Sequence, residues 1–106
     1  MKRFSAKFNA CMDASGGKTG DMRECYGAEL KRWDAAMNHA YQQRLASLPP
    51  ARNRELRLSQ RRWLHMRRPF CQRYFQGGGT AELVDYDACF VHTTNERTLF
   101  IQRFKP

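Results

Sequence analysis

The sequence predicts a mostly α fold: an antiparallel helical hairpin with a short helix before it and a short helix after it, stapled by two disulfides. Three observations carry this expectation. Met22, Tyr26, Trp33, Met37, Tyr41, Leu45 and Leu48 recur close to a 3.6-residue period, with Ala40 beside them. Only Pro49-Pro50 separates that stretch from a second helical pattern, so the two helices must fold back on each other. The 4 cysteines, even in number and without a Cys-x-x-Cys pair, suit a disulfide framework better than a zinc site.

The first helix is expected over residues 3–13, where Phe4, Phe8 and Cys11 or Met12 fall at helical spacing. Ser15-Gly16-Gly17-Lys18-Thr19-Gly20 reads as a loop, and Asp21 as the cap of the long second helix. That helix stops at Leu48, because proline disfavours helical geometry in the residue before it. A third helix runs from near Ala51 through Leu56, Gln60, Trp63, Arg67 and Cys71 towards Tyr74. Pro69 lies inside it and should kink it or loosen its last turn. Gln76-Gly77-Gly78-Gly79-Thr80 breaks the chain again. Val84, Ala88, Val91, Thr94, Thr98 and Ile101 then predict a short closing helix. A β-structure competes there, since Phe90, Val91, Thr93, Thr94, Phe100 and Ile101 all favour strands.

A chain of 106 residues is expected to form one domain over its whole length. A domain of this size buries only about two-thirds of its unfolded surface, so cross-links matter to it. Lys and Arg number 19 against 10 Asp and Glu, a net charge of +9 that points to anionic or electrostatically steered partners. No apolar run approaches the roughly 18 residues of a membrane span. Lys2 and Arg3 resemble the start of a signal peptide, but Lys7 and Asn9 interrupt any apolar stretch after them. This leaves a cytosolic protein or the mature form of an exported one, and the cysteines favour the second, a periplasmic or secreted protein.

Two constellations stand out. Gln60, Trp63, Arg67 and Cys71 step by 3, 4 and 4, and Asp34, Asn38 and Tyr41 by 4 and 3, so each set shares a helix face. A charge buried between the helices needs a partner, and Asp34 with Arg67 is the obvious pair. The expected role is a hydrogen-bond network that fixes helix register. The second constellation is basic: residues 52–73 hold 8 Arg against Glu55 alone. Arg52, Arg54, Arg57, Arg61 and Arg68 are read as spread around the helix rather than along one line, which does not suggest a nucleic-acid groove. With Lys18 they are the candidate partner surface. No Lys-Ser/Thr follows Gly77-Gly78-Gly79, so it is not a phosphate loop. His39, His65 and His92 fit no Cys-His pattern, and no carboxylate pair or Ser-His-Asp set is spaced for chemistry. No catalytic residue, metal ligand or cofactor site is expected.

Cys11, then Cys25 with Glu29, Asp34, Met37-Asn38 and Tyr41, then Leu56, Gln60-Arg61, Trp63, Arg67 and Cys71, resembles the LprI-type lysozyme-inhibitor family. The tail does too, with Gly78-Gly79, Cys89, Thr94, Arg97-Thr98 and Leu99. The resemblance spans nearly the whole chain. It implies a small, helical, exported bacterial protein that binds and inhibits a peptidoglycan-degrading enzyme and is not itself an enzyme.

Two other roles in the same compartment remain open: a periplasmic immunity protein against a wall-degrading toxin, and an envelope-binding module whose arginines hold an anionic polymer. The charge bears on the choice, because a +9 protein is repelled at long range by a cationic lysozyme unless a patch such as Asp85 and Asp87 offsets it. Blocking a muramidase needs a segment that reaches its two catalytic carboxylates. The Gly16–Gly20 loop with Lys18 and the Gln76–Thr80 loop are the candidates. The expected disulfides are Cys11–Cys25 and Cys71–Cys89, each closing a short loop at one end of the hairpin, with the crossed pairings of Cys11 to Cys71 or Cys89 still open.

Overall fold

A computed structural model describes residues 4–106. Lys2 and Arg3, including the expected first residue of the opening helix, lie outside the described residues. Helix α1 spans Ala6–Ser15 and is started by Ser5, whose hydroxyl accepts from the Phe8 amide at 3.1 Å. Gly16 ends it in the left-handed region at φ 61°, and Gly17 follows at φ 80°. A side chain at either position would strain the turn.

Helix α2 covers Thr19–Ser47 and α3 covers Pro50–Gln72. Leu48 is extended between them, as its neighbour Pro49 requires, and Pro50 occupies the first turn of α3, where a missing N–H costs nothing. Pro69 is accommodated within α3, which ends only three residues later at Gln72.

Helix α4 covers Thr80–Gln102. At 23 residues it is as long as α3 rather than a short closing piece, and there is no strand among the described residues. Strand propensity loses here because Phe90, Val91, Thr94, Thr98 and Ile101 recur at helical spacing and are buried together. The earlier start at Thr80 has a local cause. Glu82 in the first turn accepts from the amides of Gly77 at 2.8 Å and Gly78 at 3.1 Å, with Gly78 at φ 76°.

Cross-links between helices give their directions. Arg23 meets Asp87 and the Arg44 guanidinium donates to the Gln102 carbonyl, so α2 and α4 run parallel. Asn53 to the Leu45 carbonyl, Gln60 to Met37 and Arg67 to Asp34 make α2 and α3 antiparallel. The expected hairpin is therefore present, but its two helices meet mainly through side chains. The extensive packing of α2 is against α4, which also runs beside α3.

One apolar cluster joins Met37, Ala40, Leu45, Leu48, Leu56 and Ile101, with Tyr41, Trp63 and Phe104 against it. A second surrounds the Cys71–Cys89 bridge, where Phe90, Leu30 and Tyr86 gather. All four cysteines are paired, Cys11 with Cys25 and Cys71 with Cys89, at Cα separations of 5.7 and 5.6 Å. The crossed pairing is thereby excluded.

Candidate partner-binding surfaces

The polar network expected between α2 and α3 extends into α4. Arg67 Nη1 donates to Asp34 Oδ1 at 2.8 Å and to Thr94 Oγ1 at 2.9 Å, and its guanidinium lies 5.0 Å from the centre of a Trp63 ring. Gln60 Nε2 reaches the Met37 sulfur at 3.5 Å, while its Oε1 accepts from Arg97 Nε at 2.8 Å. Tyr41 and Trp63 are half-buried against the core. Asn38 departs from the expectation. It is exposed and borders an open groove between α2 and α3 with Tyr41, Arg57 and Arg61, while its neighbour Met37 turns into the core.

The basic residues need regrouping. Since α3 is one continuous helix, Arg54, Arg57, Arg61 and Arg68, at steps of 3, 4 and 7, fall along one line of its surface. The reading that they spread around the helix is corrected: only Arg52 leaves the line. It is held by the Lys105 carbonyl at 3.0 Å, by Glu55 at 2.7 Å and by the face of Phe104 at 4.1 Å. Arg57 donates to Asn53 and Arg68 to the Tyr86 hydroxyl, whereas Arg54 and Arg61 project outward.

Lys18 precedes the first residue of α2, and Arg54 sits beside the far end of that helix, about 43 Å away along a 29-residue axis. The two cannot belong to one compact epitope. Asp87 is paired with Arg23 at 2.7 Å, so the acidic patch expected with Asp85 is half neutralised.

Because α2 and α4 are parallel, the turn carrying Lys18 and the Gln76–Thr80 loop lie at the same end of the bundle. Both disulfides lie towards that end, and exposed Tyr74 and Phe75 follow Cys71 just after α3. Two buried groups escaped the sequence reading as parts of a site. Glu29, fully buried, accepts from the Ser5 amide and hydroxyl, both at 2.7 Å, and from Arg32 and Trp33. Burial alone raises a carboxyl pKa, but these four donors outweigh it and hold Glu29 below its ordinary value. Arg97 is only 9% exposed. Burial draws its pKa down from the usual arginine value, with the Tyr41 phenol opposing. The available signal was position: Glu29 lies four residues from Cys25, and Arg97 lies between Thr94 and Ile101 on the apolar face of α4.

This is the architecture of a small, disulfide-stapled, all-helical protein with exposed helical faces. Among the described residues no group of three or more His, Cys, Asp or Glu is placed to hold a metal ion, and no helix is long and apolar enough to cross a membrane. The chain belongs to the lysozyme inhibitor LprI family, whose profile matches residues 11–100. That match includes all four paired cysteines and the Asp34–Arg67 network. No curated protein and no solved structure shows significant similarity to the chain.

Proposed function

We propose that this protein is exported to the periplasm or the medium and there binds and inhibits a peptidoglycan-degrading enzyme of the lysozyme type. The family match over residues 11–100 is the observation that carries this reading. The two disulfides support the compartment, since such bonds persist where the environment is oxidising. Inhibition fits the cysteine-stapled end. Lys18 follows the left-handed Gly16-Gly17 turn, and Tyr74 and Phe75 are exposed beside the Gln76–Thr80 loop, at the same end of the bundle. A cation carried there suits a muramidase cleft with two carboxylates.

The line of Arg54, Arg57, Arg61 and Arg68 favours an acidic enzyme over a cationic one. It equally supports a second reading in the same compartment, an immunity protein that neutralises an acidic wall-degrading toxin. The test is clearing of a cell-wall suspension by acidic and basic muramidases, with and without the purified protein. Stoichiometric inhibition together with a complex on gel filtration is expected. Unimpeded clearing by every muramidase, with no complex, would remove the proposal. Retained binding to anionic wall polymer alone would make the protein an envelope-binding module.

A further inference from the structure

Between α3 and α4 lies a groove of about 410 Å³, walled by Trp63, Met66, Phe70 and Phe100 and bordered by Arg97 and Glu96. Its size falls within the roughly 300–1,000 Å³ of ligand sites. Its apolar walls are unusually open to solvent: Met66 is 60% exposed, and Phe70 and Phe100 are also exposed. Arg97 is the unusual member. Its Nε donates to Gln60 Oε1 and its Nη2 to Ser59 Oγ, both at 2.8 Å, and both acceptors are neutral. The Phe100 ring lies 4.4 Å from the guanidinium carbon.

Arg67 shows what is missing. It lines the same groove, but Asp34 neutralises it at 2.8 Å. No carboxylate among the described residues forms an ion pair with Arg97. A buried cation bonded only to neutral acceptors keeps its attraction for an incoming anion, and that attraction is stronger than in water because Arg97 itself is largely shielded from solvent. Two side-chain hydrogen bonds and an aromatic face already fix the guanidinium, so little conformational freedom is lost on binding.

We infer that the α3–α4 groove is a docking site for an acidic side chain next to an apolar one on a protein partner, with the carboxylate on Arg97 and the apolar group among Trp63, Phe70 and Phe100. Charge complementarity selects this occupant: an uncharged apolar segment would leave Arg97 further desolvated and still without a counter-ion. The site runs along the side of the bundle and reaches the cysteine-stapled end only at Phe70, whose ring carries Arg73 at 4.0 Å. It does not depend on the partner being a muramidase.

The probe is the blocked dipeptide N-acetyl-Phe-Glu-amide, with N-acetyl-Phe-Gln-amide as the neutral control. Each is titrated to about 10 mM into the full chain, above the roughly millimolar affinity expected of one ion pair and one seated ring. The readout is the Trp63 indole and Arg97 Nε–H signals by NMR, with Trp33→Phe used to assign the two indoles. Saturable shifts are expected with the acidic peptide, at least about tenfold tighter than with the control. Glu96→Gln should tighten acidic binding about two- to fivefold by removing a like charge at the rim. Arg97→Gln should abolish the preference for acid over amide. If that variant does not fold, Phe100→Ala at the exposed wall should still weaken the acidic peptide severalfold. Equal binding of the two peptides, no shift up to the highest concentration, or indifference to both Glu96→Gln and Phe100→Ala would each overturn the site.

Discussion

Arg67→Ala removes a side chain that touches all three long helices, and its cost can be bounded from the geometry. Loss of a fully buried pair partner costs roughly 3–5 kcal/mol, whereas an exposed pair contributes at most about 1 kcal/mol. Arg67 is 17% exposed, but Asp34 is 35% exposed and recovers part of its hydration when stranded. Thr94, fully buried, loses its only donor from α3, and the ring faces of Trp63 and Phe90 lose a stacked cation. An intermediate cost of about 2–3 kcal/mol follows, which in a domain of this size lowers Tm by on the order of 10 °C or more. Urea denaturation of the wild type, Arg67→Ala, Asp34→Ala and the double variant isolates the pair as a coupling free energy. Asp34→Ala should cost less than Arg67→Ala, because it leaves the contacts to Thr94 and the rings in place. A loss below about 0.5 kcal/mol for Arg67→Ala would refute the reasoning. Unchanged melting with loss of a partner would move Arg67 from scaffold to binding surface.

Glu29 carries a pH signature: its carboxyl pKa is lowered in the fold, so its stabilisation is complete above the ordinary value of 4.5 and is lost as pH falls through the folded one. Glu29→Gln should therefore destabilise at pH 7 and flatten the acid limb of a pH–stability curve; an unchanged acid limb would count against the clamp on Ser5. Non-reducing peptide mapping should find Cys11 joined to Cys25 and Cys71 to Cys89, and loss of either bridge should cost roughly 3 kcal/mol in a chemical melt. Double charge reversal at Arg54 and Arg61 should slow association with an acidic partner at low salt and speed it with a cationic muramidase. Both effects should fade as the Debye length contracts from about 10 Å at 0.1 M to 3 Å at 1 M. Stopped-flow rates insensitive to both the reversal and salt would reduce the arginine line to a solvated face.

The helices were readable because local rules decide them: periodicity for α2 and α3, Pro49-Pro50 as the break, and the even cysteines as bridges. Two ends were not, since α1 runs on to Ser15 and α2 begins at Thr19, before the expected cap at Asp21. The Asp34–Arg67 pair was readable because a charge on an apolar face needs a counter-charge. The length of α4 was not, since β-branched residues on a half-buried helix look the same as those on a strand until their neighbours are known. Packing of α4 along α2 is equally invisible locally. The arginine line was obscured by grouping Arg52 with it, although Arg52 falls on the side that meets the C-terminal tail. Arg97 and Glu29 were hidden because a lone charge on a helix reads as surface unless its depth is known.

Each disulfide links two helices that are neighbours in sequence, Cys11–Cys25 joining α1 to α2 and Cys71–Cys89 joining α3 to α4. No covalent bond beyond the peptide backbone spans the middle of the chain. The oxidised protein is thus two cross-linked hairpins that dock, and their registration, Arg23 against Asp87 at one end and Arg44 against Gln102 at the other, rests on side-chain packing between residues about sixty apart. Such long-range contacts reward the chain only after their loop-closure entropy has been met. A single backbone cut at Leu48-Pro49 would leave both hairpins closed, turning an intramolecular contact into an association between two halves whose yield depends on concentration.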